Sequence, residues 1–342
     1  MKALLLSQPG ALAIADLPVP NVGDEDVLVR VRACGVCGSD VHGYDGSTGR
    51  RIPPLVMGHE AAGNIERIGP AVTGFSPGDR VTFDSTVSCG RCDFCRRGQI
   101  NLCDRRMVLG VSCGDYRRDG AFAEFVSVPA RILYPLPDAL PFEHAALIEA
   151  VSVAVHAVGL RVPAPEDVVV VIGCGMIGLL VIQVLREKGC RSIIGVDIDD
   201  TRRALASRLG AIQTFDGRID VPQAIRDATN GRGADHAFEV VGLPETVQGC
   251  VRCVRKGGTV TLVGNLTPVV GLPLQDVVTR QLTLLGSCAS SGEYPACIDL
   301  MARGAIDVAS LISATAPLDE GPAWFSRLHR GNEKLMKVIL IP

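Results

Sequence analysis

The run DVVVVIGCGMIGLLVIQVLREKGCRSIIGVDIDD, residues 167–200, narrows the fold of this chain more than any other stretch. Val168 to Ile172 is continuously apolar and β-branched, the pattern of a strand buried on both faces. Met176 to Lys188 has the length and make-up of a helix opening at glycines, and Ser192 to Val196 supplies a second buried strand that ends on Asp197. Two such strands joined by a helix make a parallel βαβ unit. Gly173, Gly175 and Gly178 form G-x-G-x-x-G at the strand-to-helix turn. Glycines there let the backbone approach a pyrophosphate at a helix N-terminus, with Met176 and Ile177 opening that helix. Asp197 is placed to accept hydrogen bonds from an adenosine ribose. Its charge would repel a 2′-phosphate, which favours NAD over NADP, although Arg202 and Arg203 nearby weaken that argument. The glycine pattern alone is common, and the alternative is a βαβ unit with no ligand.

Further β-like runs follow at HAFEVVG, GTVTLVG and LTLLG, separated by helical stretches such as PETVQGCVRCV. The sheet therefore continues past the first unit. Open doubly wound sheets bind cofactor at the carboxyl ends of their strands, so Val240 to Gly242, Val263 and Gly264 to Asn265, and Gly286 to Cys288 are expected near the dinucleotide.

Four cysteines fall within fifteen residues in CGRCDFCRRGQINLC. Cys89, Cys92, Cys95 and Cys103 read C-x2-C-x2-C-x7-C, and Gly90, Asp93 and Gly98 let the chain curl so that the sulfurs converge. Thirteen cysteines in a chain of 342 residues with no export signal at its N-terminal stretch suit thiolate chemistry better than a disulfide framework. Four thiolates satisfy a tetrahedral zinc and leave no place for substrate, so this is expected to be a structural zinc. An iron–sulfur cluster also takes four cysteines, but at other spacings, some with proline after the last ligand, where Asp104 stands here.

The chemistry must then lie elsewhere. ACGVCGSDVHGYDG and PLVMGHEAAG contribute Cys37 and His59 as candidate ligands, Glu60 follows directly, and Glu149 in ALIEAVSVAVHAV is the third candidate. Cysteine, histidine and a carboxylate are the mixed set that gives a catalytic zinc three protein ligands and one open place. Singly these motifs are weak, because a lone cysteine in a glycine-rich turn is more often packing.

Hydrophobic residues make up 47% and charged residues 21%, ordinary for a folded soluble protein, and the length holds two domains more comfortably than one. Net charge is −3 with cations scattered, so no positive field is available for nucleic acid. No apolar stretch reaches the roughly 18 residues of a membrane span. A cytoplasmic protein is expected.

CGVCGSDVH, GHEAAG, the four-cysteine lobe, IEAVSVAVHA and VIGCGMIG together resemble the zinc-containing medium-chain dehydrogenase/reductase family, in order along essentially the whole chain. The resemblance implies an α/β protein: a GroES-like, β-rich catalytic domain at 1–153, a Rossmann doubly wound parallel-sheet domain at 154–288, and a C-terminal return to the catalytic domain at 289–342, with the active site in the cleft between the domains. It implies two zinc ions per chain, with Cys37, His59 and Glu149 as catalytic ligands, Glu60 as an outer carboxylate or alternate ligand, and Cys89, Cys92, Cys95 and Cys103 on the lobe metal. Ser39 and His42 look like a proton relay that runs through the nicotinamide ribose hydroxyl. A homodimer or homotetramer is also implied, the tetramer preferred, with GTVTLVG and LTLLG as pairing edges.

Glu149 stands where primary-alcohol enzymes of the family carry cysteine, and is similar to the sorbitol, butanediol and threonine dehydrogenase branches. Gly38 in place of arginine is also polyol-like. The expected reaction is hydride transfer between NAD(H) and a secondary alcohol, a polyol foremost. The Arg-Tyr pair of sorbitol-type members is replaced by CASSGEYP, which counts against sorbitol itself. Arg50 and Arg51 in GSTGRRIPP allow a sugar-phosphate or sugar-acid substrate, against the ordinary reading of two solvated charges. A non-catalytic NAD-binding homologue is the alternative from another class; such a chain should have lost a ligand or relay residue, and all are present.

Overall fold

A computed structural model describes residues 1–112, 118–331 and 333–342. The chain forms two compact units. One comprises Met1–Glu149, Ser291–Gly304 and Val308–Pro342, the other Ala150–Ser290 and Ala305–Asp307.

The second unit holds a six-stranded parallel sheet. Its spatial order is Gln213–Asp216, Ser192–Asp197, Val168–Ile172, Ala234–Glu239, Val254–Leu262, Thr283–Gly286. The chain starts in the middle, runs out to one edge, crosses back and continues to the other edge. Strand order thus reverses beside Val168–Ile172, the crevice where doubly wound sheets take ligands. Val169, Val170, Val171, Ala237, Phe238 and Val260 are fully buried, as a sheet covered on both faces requires. Helix Met176–Glu187 packs one face. Asp199 caps the next helix, Asp200–Leu209, accepting from the Thr201 and Arg202 amides, and Asp220 caps Val221–Ala228. The sequence places the first strand, helix and second strand within a residue of where they lie. It does not flag strand Gln213–Asp216, which is short and only half buried.

The first unit is β-rich. Strand Asp26–Gly35 is its hub: it pairs antiparallel with Glu60–Ile68, with Phe125–Pro129 and with the C-terminal strand Lys337–Ile341. The seven-stranded sheet is completed by Arg80–Phe83, Leu133–Pro135 and Ile312–Pro317. A separate three-stranded sheet has Lys2–Gln8 at its centre, flanked by Ala11–Asp16 and Leu55–Val56. Leu4, Leu6, Val27, Val29, Phe83, Phe122, Phe325 and Leu340 form one apolar cluster, with the Phe122 and Phe325 rings edge to face at 5.7 Å. Each such side chain contributes roughly 1.5–3 kcal/mol by leaving water.

Register brings two distant charges together. Gly35 faces Glu60 on one neighbour and Ile339 on the other. Glu60 and Lys337 therefore meet across the end of the hub strand.

Candidate active site and metal centres

The lobe cysteines gather as their spacing predicts. Their sulfurs lie within 4.8 Å of one another. Cys92 caps the short helix Asp93–Arg96, which brings Cys95 back to 3.4 Å from Cys92 and 4.0 Å from Cys89. A tetrahedral zinc with Zn–S near 2.3 Å requires sulfurs roughly 3.8 Å apart, a value these separations bracket. Backbone amides at Arg91 and Cys92 pull the Cys89 thiol down to about 6, toward the thiolate a metal needs, whereas burial pushes Cys103 up to about 11. All described cysteines are free thiols. The donor set fits zinc with no place left open.

The second set comes from segments far apart. Cys37 caps helix Gly38–Gly43, its carbonyl accepting from the Asp40 and Val41 amides. His59 precedes strand Glu60–Ile68, and Glu60 opens it. Ligand atoms of Cys37, His59 and Glu60 lie within 4.8 Å of one another, with His59 and Glu60 buried. Soft sulfur, imidazole and carboxylate together suit zinc with one tetrahedral place free. The carboxylate in this cluster is Glu60, whereas the sequence put Glu149 third. Glu149 sits in the first turn of helix Ile148–Gly159, outside the gathered set. It is still within electrostatic reach: burial, reinforced by Glu60 and opposed by His59, pushes its carboxyl up to about 7.

Three residues that the motifs did not flag hold this site. Lys337 Nζ lies 2.9 and 2.7 Å from the two Glu60 oxygens and donates to the Val36 carbonyl at 3.1 Å; both side chains are buried. A Cβ at position 35 would stand 2.3 Å from Glu60 Oε2, so only glycine leaves room for that carboxylate. Asp40, fully buried, lies 3.5 Å from His59 Nδ1 and accepts from Arg51 at 2.6 Å. Burial works against its charge, but His59 and Arg51 outweigh burial and hold the carboxyl well below the usual range. With Nδ1 turned to Asp40, Nε2 is the His59 atom left for a metal. A lone lysine heading the apolar run VILI was the available sequence signal for Lys337.

Ser39 and His42 lie on the Cys37-capped helix. Ser39 Oγ donates to Cys37 Sγ at 3.3 Å, and His42 is exposed. Arg50 is exposed as well, but Arg51 is only 4% exposed and bound to Asp40. That removes Arg51 as a cation for an incoming anion.

In the nucleotide unit the three glycines have separate reasons. Gly173 has φ +98°, and a Cβ there would meet the Val241 side chain at 2.5 Å. A Cβ on Gly178 would stand 1.8 Å from the Gly173 carbonyl oxygen. At Gly175 nothing lies within 4 Å of where a Cβ would stand, so the space beside the start of the helix is open. Asp197 Oδ2 accepts from the Cys174 amide at 2.8 Å and Oδ1 from Asp199, with Arg202 3.8 Å away. A cavity of about 990 Å³ begins here: Gly173, Asp197 and Arg202 line it, together with Ile198, Val241 and Thr246. Met176 and Ile177 open the helix as expected. Val240, Val263 and Gly264 follow their strands, the Val263 and Gly264 amides bonded to the Glu239 carbonyl, and they do not line that cavity.

Comparison with known proteins decides the family. The family model of the alcohol dehydrogenase GroES-like domain matches residues 23–138, and that of zinc-binding dehydrogenases matches 177–303. Sorbitol dehydrogenase of Bacillus subtilis is 32% identical over 100% of this chain and 97% of its own length. The chain belongs to the zinc-containing medium-chain dehydrogenase family, in its polyol dehydrogenase branch. D-arabitol-phosphate dehydrogenase of Enterococcus avium is 33% identical over 97% of this chain and 96% of its own. A zinc-binding dehydrogenase from Sinorhizobium meliloti 1021, in complex with NADP, superposes with a TM-score of 0.92 at 35% identity, covering 100% of this chain and 99% of that one. This dehydrogenase is thus an alcohol oxidoreductase built from a GroES-like and a Rossmann-like unit. Among the described residues no helix is long and apolar enough to cross a membrane.

Proposed function

We propose that this dehydrogenase interconverts a neutral polyol and its ketose with NAD as hydride carrier. The observation that carries the reading is the meeting of Cys37, His59 and Glu60 within 4.8 Å, with the Ser39 hydroxyl 3.3 Å from Cys37 Sγ. Bound to those three residues, zinc would supply Lewis-acid polarisation of the substrate hydroxyl, and NAD would supply the hydride acceptor. The chain's own residues do the rest. Cys37, His59 and Glu60 hold; Lys337 pairs with the buried Glu60 carboxyl; Asp40 faces the His59 ring at Nδ1. Ser39 Oγ takes the proton that the substrate hydroxyl loses, and exposed His42, one turn on, passes protons to solvent. Glu149 is a further polar group beside the substrate, as a ligand in turn with Glu60 or as a hydroxyl partner. The lobe cysteines staple the unit.

Asp197 supports NAD over NADP, since a carboxylate at the end of the second strand would repel a 2′-phosphate. Burial of Arg51 against Asp40 favours a neutral polyol over a phosphorylated one. Exposed Val269, Leu272, Leu274 and Val278, close in sequence to edge strand Thr283–Gly286, support assembly into a dimer or tetramer. The free thiols suit a reducing cytoplasm.

The test is reduction of NAD and of NADP, followed by nicotinamide absorbance, across sorbitol, xylitol, galactitol, 2,3-butanediol, threonine and phosphorylated sugars, with Cys37→Ala as control. Turnover of one neutral polyol class with NAD, lost in the control, is expected. Faster turnover of phosphorylated sugars would replace the substrate reading, and no turnover with zinc and NAD both bound would favour a non-catalytic role.

A further inference from the structure

Arg51 is a buried cation beside the relay, and its geometry goes beyond neutralising Asp40. Its Nε and Nη2 reach Asp40 Oδ1 at 3.2 and 2.6 Å, Nη1 donates to the Arg50 carbonyl at 3.2 Å, and Nη2 also donates to Ser39 Oγ at 3.3 Å. The two hydrogens of one Nη2 are thus divided between a buried carboxylate and the hydroxyl on which proton transfer is placed. A serine hydroxyl has one hydrogen and two lone pairs. To relay a proton it must accept from the substrate on one lone pair and turn its hydrogen from Cys37 Sγ, which it faces here at 3.3 Å, to the nicotinamide ribose hydroxyl on the way to His42, which leaves one lone pair spare. Arg51 fills that spare lone pair.

We propose that Arg51 is a positioning residue for the Ser39 hydroxyl, fixing which lone pair faces the substrate and which way the hydrogen leaves. The inference rests on the reading of Ser39 as proton acceptor. Three features support it. The guanidinium is planar and held at four points, so Nη2 cannot swing away from Ser39 without giving up Asp40. Arg51 is 4% exposed, so water competes little at its own nitrogens, even though Ser39 is exposed. Its fixed charge faces the oxygen that carries excess negative charge whenever Ser39 gives up its proton before receiving the next. Lysine carries charge but no fork, and at this place it could serve Asp40 or Ser39 but not both.

The bland alternative is that Arg51 only neutralises Asp40 and so supports His59. A double-mutant cycle separates the two. Wild type, Arg51→Gln, Ser39→Ala and the double variant are compared for kcat, KM, solvent isotope effect on kcat, bound zinc and NADH affinity. If Arg51 acts through Ser39, Arg51→Gln lowers kcat by roughly 10- to 100-fold, within the range of lost proton-transfer assistance, raises the solvent isotope effect, and leaves zinc content and NADH affinity unchanged. In the Ser39→Ala background it has no further effect. An equal fold-loss in both backgrounds, or loss of zinc, assigns Arg51 to the Asp40–His59 support alone and overturns the proposal. Full activity in Ser39→Ala would instead overturn the relay, and the Arg51 role with it. Should Arg51→Gln not fold, Arg51→Lys keeps a cation for Asp40. Reduced kcat with zinc retained then upholds the proposal, and wild-type kcat sinks it.

Discussion

The two units of this dehydrogenase build their sites from opposite materials. In the catalytic unit the work is done by side chains: a thiol, an imidazole and a carboxylate are drawn together, and two buried cations, Arg51 and Lys337, hold the acids in place. In the nucleotide unit it is done by bare backbone, where Gly173, Gly175 and Gly178 leave out the side chains that would fill the turn. The difference teaches how each fails. A charge-built site fails when a partner is removed, and a backbone-built site fails when an atom is added.

The largest expected effect comes from removing a partner. Lys337→Met leaves the buried Glu60 carboxyl without its cation, a change that costs about 3–5 kcal/mol when one member of a buried pair is deleted. Urea unfolding should show a loss of that size, greatest after chelation, since a metal on Glu60 offsets part of the unpaired charge. The double variant Lys337→Met, Glu60→Gln should recover most of the stability and none of the turnover. Unchanged unfolding in the single variant would mean that the pair does not hold the site.

Adding an atom should act differently at two glycines of one motif. Gly178→Ala puts a methyl 1.8 Å from a backbone oxygen, so helix and strand must part, at a cost toward the top of the roughly 1–3 kcal/mol seen for overpacking. Gly175→Ala meets nothing within 4 Å. It should unfold within about 0.5 kcal/mol of wild type, as unobstructed substitutions do, yet bind NADH more weakly, because on the proposed reading the methyl would obstruct the pyrophosphate. Thermal unfolding and NADH fluorescence titration read the two effects separately. Equal loss of stability in both variants would remove the distinction between packing and ligand glycines.

The same contrast explains what the sequence made legible. The first strand, helix and second strand of the nucleotide unit, and the four-cysteine lobe, are local: their partners lie within about one supersecondary unit, so spacing carries the geometry. The mixed site is not local. Glu60 and Lys337 are 277 residues apart and meet only through the register of strand Asp26–Gly35. Nothing in GSTGRRIPP says that one arginine turns inward to Asp40 while its neighbour stays in water. Most strands of the catalytic unit are equally hard to read, because many are short and their pairings reach far along the chain. Glu149, singled out by motif position, lies near the cluster, while the carboxylate gathered with Cys37 and His59 is the one next to the histidine.

The smallest effect tests whether a buried side chain adds acid sensitivity to the nucleotide unit. His236 is one group that could carry it: buried in strand Ala234–Glu239, with Nε2 2.9 Å from Thr261 Oγ1, it has its pKa pushed down to about 4, by burial first and Arg161 second. The neutral ring is thus kept in the fold, while in the unfolded chain it takes up a proton near the ordinary value of about 6.5. Between those two values the unfolded state binds more protons, so stability falls as pH falls through the window and is untouched above it. At about pH 5.5 the loss should be near 1.4 kcal/mol, one pH unit's worth of linkage. His236→Gln can keep a hydrogen bond to Thr261 but cannot titrate, so its stability should be flatter over that window. If wild type and His236→Gln lose stability in parallel from about pH 6.5 to pH 5, the acid sensitivity lies elsewhere and His236 does not contribute to it.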